Sequence, residues 1–133
     1  MSGSQILIQF KNSLVSFMDE LIDSFPQEPD LIIFRIFLKD QIPIEDVMSK
    51  FIYSINKNDG LTKKNIKDRN DDVFLKNEIF DNFIKSKAKT FTFQKLWQSE
   101  NLDDEEKKTV WRWIDSFVIL SERYTKIKSE NLS

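Results

Sequence analysis

Residues 107–124 read KKTVWRWIDSFVILSERY, and this stretch decides the fold class that we predict for the chain. An α-helix turns by about 100° per residue, so side chains three and four positions apart share one face. That spacing joins six large side chains into one stripe: Val110, Trp113, Ile114, Phe117, Leu120 and Tyr124. We therefore predict a long amphipathic helix that buries these six side chains in the core.

Charged residues at both ends of this stretch support the same helix. Asp103, followed three positions later by Glu106, resembles a capping box in which aspartate is the cap. The acidic pair at 104–105 and the basic residues within 123–128 suit the partial charges at the two ends of a helix. The last helix is therefore predicted to begin at Asp103.

Some side chains of this helix fall outside the buried stripe. Trp111 lies at its margin beside Val118, so two interpretations stay open: Trp111 caps the edge of the core, or it contacts another molecule. Ile119 lies on the polar side of the helix, together with Arg112. Isolated apolar residues on a surface are normal. We nevertheless take Trp111, Val118, Ile119 and Arg112 as a candidate protein-interaction strip.

The N-terminal part of the chain predicts another long helix, from Gln5 to Phe25. Its apolar residues recur at the same helical spacing: Leu7, Phe10, Leu14, Phe17, Met18, Leu21 and Phe25. Ser4 is the predicted N-cap. Pro26 ends the helix because helical backbone is disfavoured at the residue before a proline.

Two further helices are predicted between residues 31 and 60. Residues 31–40 follow a candidate cap, Asp30, and are apolar nearly all round, so we expect a central element. A buried strand is the alternative for so short a run. Pro43 fits the first position of the next helix, and Gly60 lies where that helix is expected to stop.

The scarcity of turn residues favours an all-α fold, because two glycines and three prolines give little turn chemistry for a many-stranded β-protein. Shorter segments complete the assignment: a weakly helical stretch at 62–70, a helix at 71–85, a solvated connection at 85–90 and a short helix from the cap Thr90 through Trp97. We predict one domain over residues 1–133, a compact bundle of about six or seven helices with disordered ends at 1–4 and 129–133. The last helix is expected to pack against the first and the third.

Residue types that the sequence lacks exclude several kinds of chemistry. The chain has no cysteine and no histidine, which excludes disulfides, Cys/His zinc sites, thiol nucleophiles and histidine-based triads. Two isolated glycines cannot form a glycine-rich phosphate loop. Carboxylate pairs at 45–46, 71–72 and 103–106 lie at predicted helix starts, where acidic residues are common. We predict no catalytic residue, no metal ligand and no cofactor.

The apolar stretches predict a soluble, intracellular protein with no membrane partner and no small-molecule substrate. The longest run, LIIFRIFL at 31–38, is too short to span a bilayer and contains Arg35. The first residues lack the basic region of a signal peptide.

Positive charge is concentrated in the middle of the chain. The net charge is −2, yet residues 57–95 carry ten basic and six acidic side chains. Phosphate contacts from this region would bind nucleic acid in a salt-dependent way. The candidate residues are Lys63, Lys64, Lys67, Arg69, Lys85, Lys87 and Lys89. Acidic residues interrupt the stretch, so a solvated surface is the competing interpretation.

Three segments, SFMDELIDSFP (16–26), FQKLW (93–97) and TVWRWIDSFVILSERY (109–124), together carry a resemblance. They resemble small uncharacterised helical proteins of nucleocytoplasmic large DNA viruses, of the mimivirus and marseillevirus type. The matching positions are Phe17, Glu20, Leu21, Phe25, Pro26, Leu96, Trp97, Trp111 and Tyr124. The resemblance implies an all-helical protein of the virion or of a viral factory in the host cytoplasm, with no assigned catalytic residue.

Taken together, the sequence predicts a non-enzymatic interaction protein that binds a protein partner or a second copy of itself, as in a homodimer. The alternative is a nucleic-acid-associated accessory protein that uses residues 57–95. A third class, a metal-assisted enzyme, would require a pocket in which three carboxylates converge.

Overall fold

The computed structural model describes residues 2–76, 79 and 93–132, and it confirms the all-α fold class. No residue in these ranges lies in a β-strand. The described α-helices are α1 (Gly3–Ser24), α2 (Pro29–Ile36), α3 (Ile44–Lys67), α4 (Asp72–Leu75), α5 (Phe93–Trp97) and α6 (Asp104–Leu132). A π-helical turn, Phe37–Gln41, continues directly from α2.

A cluster of phenylalanine rings from α1, α3 and α6 lies at the centre of the fold. Phe117 of α6 is fully buried, and its ring centroid lies 5.8 Å from that of Phe10 and 5.6 Å from that of Phe17, both in α1. Phe51 of α3 lies 6.2 Å from Phe117. The predicted packing of the last helix against the first and the third is therefore confirmed.

The buried stripe of α6 agrees with the prediction at five of its six positions. Those five side chains are buried: Val110, Ile114, Phe117, Leu120 and Tyr124. Trp113 is partly buried, because its indole Nε1 reaches the edge of the core and donates a hydrogen bond of 2.6 Å to the carboxylate of Glu20. The periodicity of residues 107–124 thus gave the correct inner face of the helix.

The N-terminal cap of α6 also follows the sequence, with one difference. The backbone N–H of Glu106 donates to Oδ1 of Asp103 at 2.8 Å, as expected for an aspartate cap. The side chain of Glu106 does not complete a reciprocal box; it accepts a hydrogen bond of 2.8 Å from the hydroxyl of Ser24 in α1. Asp103 therefore caps the N-terminus of α6, and the side chain of Glu106 connects α6 to α1.

Helix is described near both chain ends, within the segments 1–4 and 129–133 for which disorder was predicted. Ser2, not Ser4, caps α1: it accepts from the N–H of Gln5 at 3.2 Å, and its own N–H donates to Oε1 of Gln5 at 2.8 Å. Ser2 has a glutamine three positions later, which completes the reciprocal box, whereas Ser4 has a leucine at that spacing. Residues 129–132 continue α6. Met1 and Ser133 lie outside the described residues.

The second helix is less central than the sequence predicted. It begins at Pro29, and Asp30 lies in its first turn and does not cap it. Only one face of α2, with Leu31 and Phe34, is buried, and Leu38 of the following π-turn is buried as well. The opposite face is 41–46 % exposed at Ile32, Ile33 and Ile36. Among the described elements, α2 packs on α1 and the following π-turn, which is enough to cover one side of it.

The predicted stop at Gly60 is a break within α3. The ψ of Lys57 is 160°, and Asn58, Asp59 and Gly60 have φ values of 56°, 58° and 80°. Three consecutive left-handed residues end the first part of the helix, and glycine adopts this conformation most readily. Helical backbone then resumes from residue 61 to Lys67.

Only the first part of the helix predicted at 71–85 lies among the described residues. There the structure shows α4, Asp72–Leu75, which starts one residue later than predicted. Residues 77, 78 and 80–92 lie outside the described residues, and with them the predicted connection at 85–90 and the predicted cap Thr90. The short helix that ends at Trp97 is present as α5.

Candidate functional site

A groove lies between the second part of α3 and the middle of α6, and we call it the α3–α6 groove. Its volume is about 610 Å³. Nine residues line it: Gly60, Lys63, Lys64, Ile66, Lys67, Asp115, Val118, Ile119 and Glu122. Ligand sites in proteins commonly enclose about 300–1,000 Å³, so the size suits a bound side-chain cluster.

The groove is built from one face of each helix. Gly60 lines the groove from the break that precedes the second part of α3. Residues 63, 64 and 67 of α3 and residues 115, 118, 119 and 122 of α6 recur at three- and four-residue spacing. This spacing places each set on one side of its helix. Because both sets face the same groove, its two walls are adjacent helix faces.

Two ion pairs between the helices fix how these walls run. Nζ of Lys63 lies 3.0 Å from Oε1 of Glu122, and Arg69 binds Asp115. Residue numbers therefore rise along α3 as they fall along α6, so the two walls are antiparallel. The ion pairs bracket the apolar middle of the groove, where Val118 and Ile119 lie.

Arg69 has several contacts within the fold. Its guanidinium donates two parallel hydrogen bonds to the carboxylate of Asp115, at 2.8 and 2.5 Å, and a third to the carbonyl of Ile66 at 3.1 Å. The hydrogen bonds that Arg69 donates to Asp115 raise the pKa of the guanidinium above its ordinary value. The same guanidinium lies 5.4 Å from the ring centroid of Trp111. Arg69 therefore joins the end of α3 to α6.

Trp111 belongs to the core, which corrects its place in the predicted interaction strip. It is 7 % exposed, and its ring lies 4.8 Å from Phe74 of α4 and 5.6 Å from Trp97 of α5. Arg69 covers a further side of the ring. Of the two interpretations of Trp111, capping the edge of the core is the one that agrees with the structure, because α4 and α5 cover that side of α6.

The other three strip residues differ in whether they line the groove. Ile119 is 50 % exposed and Val118 is partly buried, and both line the groove above Ile66, which is 3 % exposed. Arg112 is exposed but does not line it. The structure therefore retains Val118 and Ile119 as contact candidates.

The predicted basic set is also divided by the structure. Lys63, Lys64 and Lys67 line the groove, and Lys63 is paired with Glu122. Lys64 and Lys67 are exposed and form no ion pair with any described residue. The remaining members, Lys85, Lys87 and Lys89, lie outside the described residues. Arg69, as shown above, is bound by Asp115.

The groove thus combines two candidate sets that the sequence kept apart, the lysines of α3 and the apolar pair of α6. Four of its lining residues were not among the candidates: Gly60, Ile66, Asp115 and Glu122. The i, i+7 relation of Asp115 to Glu122 was visible in the sequence. Their partners, Lys63 on α3 and Arg69 just after it, were not, because an ion pair between distant segments leaves no local pattern.

A second cleft, of about 340 Å³, lies between α1 and the start of α6. Glu20, Asp23 and Glu106 line it, which is the kind of site that the enzyme hypothesis requires. Two of these carboxylates accept hydrogen bonds, Glu20 from Trp113 and Glu106 from Ser24. Across residues 2–76, 79 and 93–132, no group of three acidic side chains is arranged to hold a metal ion.

No helix in the described part of the chain combines the length and the apolar character needed to cross a membrane. Comparison with protein-family models, with curated proteins and with solved structures found no match. A functional proposal for this chain therefore rests on the geometry of the groove.

Proposed function

We propose that this chain is a non-enzymatic helical interaction protein that binds a protein partner through the α3–α6 groove. The observation that carries the proposal is the position of Ile119, half-exposed on the wall of a concave surface with lysines along its rim. Removing the exposed surface of an isoleucine from water stabilises a complex with the partner that covers it. A groove between two helices is also a common docking site for a helical segment.

The alternative of nucleic acid binding has less support among the described residues. Two of the four described candidates, Lys63 and Arg69, are occupied by Glu122 and Asp115. A phosphate backbone would have to compete with these carboxylates at the same positions. Lys64 and Lys67 alone offer few phosphate contacts, whereas binding strength and its salt dependence increase with their number.

Self-association is a further part of the proposal. The exposed face of α2, with Ile32, Ile33 and Ile36, is an apolar surface on the same chain and is separate from the groove. Light scattering coupled to size-exclusion chromatography measures whether the chain forms a dimer. A monomer mass at every concentration tested would exclude self-association, and the proposed partner would then be a different protein.

The place of action that we propose follows the resemblance to proteins of large DNA viruses. On that proposal the protein is present in the virion or in the cytoplasm of the infected host. Fractionation of purified particles and infected cells with an antibody to this chain tests the location. Its absence from both fractions would contradict it.

Photo-cross-linking in the native cells tests the binding function directly. A benzoylphenylalanine in place of Ile119 is expected to form a discrete adduct with another polypeptide. The matched control replaces Ile8, an isoleucine that is 60 % exposed on α1 and does not line the groove. The proposal fails if position 119 gives no adduct, or if both positions give the same adducts.

A further inference from the structure

The charges around the α3–α6 groove also indicate the kind of partner. We infer that its occupant is an amphipathic helix that carries carboxylates beside its apolar face. This inference rests on the proposed function and adds to it a chemical class of partner.

The shape of the groove fits one helix. Its wall on α6 runs from Asp115 to Glu122, which at 1.5 Å per residue is about 10 Å, or two helical turns. Its two walls are antiparallel helices, and a third helix can lie in the depression between two such neighbours. Two turns present two or three side chains to the floor, at spacing i, i+3 or i+4 and i+7.

The apolar contact surface is confined to the middle of this length. Ile119 and Val118 lie between the ion pairs of Glu122 and Asp115, and Ile66 lies beneath them. An occupant therefore needs large apolar residues at the centre of its contact face and polar residues at the sides. This pattern describes an amphipathic helix.

The charge balance selects an acidic occupant. Within the groove, Glu122 neutralises Lys63, and Asp115 is neutralised by Arg69. Lys64 and Lys67 remain, both exposed, on the α3 wall. Asp59 and Asp68 adjoin this segment in sequence but do not line the groove. The groove therefore carries two positive charges that the described residues leave unbalanced.

These two lysines also constrain where the carboxylates of the occupant lie. Lys64 and Lys67 are three residues apart, so they are neighbours along one side of α3. Carboxylates one helical turn apart on the occupant would meet both of them. Exposed ion pairs set orientation and the choice of partner more than affinity, so the charge is expected to determine selectivity and Ile119 the strength of binding.

Fluorescence anisotropy with designed peptides tests the inference. The probe is a labelled amphipathic peptide of about 18 residues, long enough for helix formation, with leucines on one face and glutamates beside them. The comparison peptides replace every glutamate by lysine or scramble the order. The glutamate peptide is expected to bind at least about tenfold more tightly than the lysine peptide, a difference that corresponds to about 1.4 kcal/mol.

Variants of the groove then locate the binding. Lys64→Glu with Lys67→Glu is expected to reverse the preference between the two peptides, and Ile119→Asp to abolish binding of both. The matched charge control is Lys39→Glu with Lys50→Glu, which changes two exposed lysines outside the groove. All of these positions are exposed, so each variant is expected to keep the helical circular dichroism of the wild type.

Each other outcome overturns the inference in a recognisable way. Equal binding of the glutamate and lysine peptides would mean that charge does not select the partner. Binding of a single-stranded oligonucleotide that Lys64→Glu with Lys67→Glu abolishes would assign the lysines to phosphate. A dimer that Ile119→Asp dissociates, without peptide binding, would assign the groove to a second copy.

The failure of this inference is distinguishable from failure of the proposed function. If position 119 gives an adduct but the glutamate peptide is not preferred, the binding function is supported and the inference of an acidic partner is wrong. No adduct at that position removes both.

Discussion

The hydroxyl of Ser24 donates a hydrogen bond of 2.8 Å to Oε2 of Glu106, and this bond joins the last residue of α1 to the first turn of α6. The two residues are 82 positions apart in the chain. Glu106 also gives its backbone N–H to Asp103, so one residue serves both the local cap and a contact between helices. The bond therefore holds the end of α1 beside the beginning of α6, so the two helices are antiparallel.

Glu106→Ala is expected to lower the free energy of unfolding by about 1 kcal/mol, the usual net value of one hydrogen bond, since the backbone bond to Asp103 remains. Urea unfolding followed by circular dichroism measures the change. Glu105→Ala is the matched control, because the side chain of Glu105 is 80 % exposed and, among the described residues, forms an ion pair with Lys108, so a change near zero is expected. Equal losses in the two variants would contradict a role for Ser24.

Trp111→Ala is expected to destabilise the protein by about 3–5 kcal/mol, as for other large aromatic residues removed from a core. The loss arises because Phe74 and Trp97 would then border a cavity. Ile119→Ala is the control within the same helix, and a loss below about 1 kcal/mol is expected there because Ile119 is half-exposed. Thermal and urea unfolding measure both. A Trp111→Ala variant with wild-type stability would contradict the assignment of Trp111 to the core.

The bond between Arg69 and Asp115 is expected to show a coupling energy of about 0.5–1 kcal/mol in a double-mutant cycle of Arg69→Ala and Asp115→Ala. The low value follows from exposure, since both side chains are about 40 % exposed. Arg69→Lys is expected to recover only part of the coupling, because lysine cannot form two parallel bonds.

The pH dependence of this coupling follows from the pKa of Arg69, which the hydrogen bonds to Asp115 raise above its ordinary value in the folded state. A raised pKa gives stability that is fully present below the ordinary value and is lost only as the pH rises through the folded value. The contribution of the arginine should therefore not change between about pH 6 and pH 9. A loss of coupling in that window would contradict the assignment.

Gly60→Ala is expected to cost about 1–2 kcal/mol, because residue 60 has a φ of 80° and a side chain disfavours that backbone. The cost is conformational, since a Cβ at this position would meet no atom within 4 Å. Gly3→Ala is the matched control: a Cβ there would lie 3.7 Å from the ring of Tyr124, an ordinary contact. That variant should be neutral or slightly more stable, because alanine favours helix.

Local sequence signals predicted several features that the structure confirms. The stripe from Val110 to Tyr124, the cap at Asp103 and the break at Gly60 each depend on residues within one or two turns of each other. The period of an α-helix relates such positions directly, so a single sequence is enough to identify them. The all-α fold class follows from the same periodicity.

Other features depend on which elements meet, and periodicity does not supply that information. Trp111 lies at the margin of the stripe by angle alone, and its burial is decided by Phe74 and Trp97 on two short helices. The groove arises in the same way. The sequence by itself determined that Lys64 and Lys67 share one helix face and that Val118 and Ile119 are adjacent on another. Only the tertiary structure, through ion pairs between α6 and the end of α3, brought these two faces together. The physical reason is that contacts between distant segments are set by the packing of the whole chain.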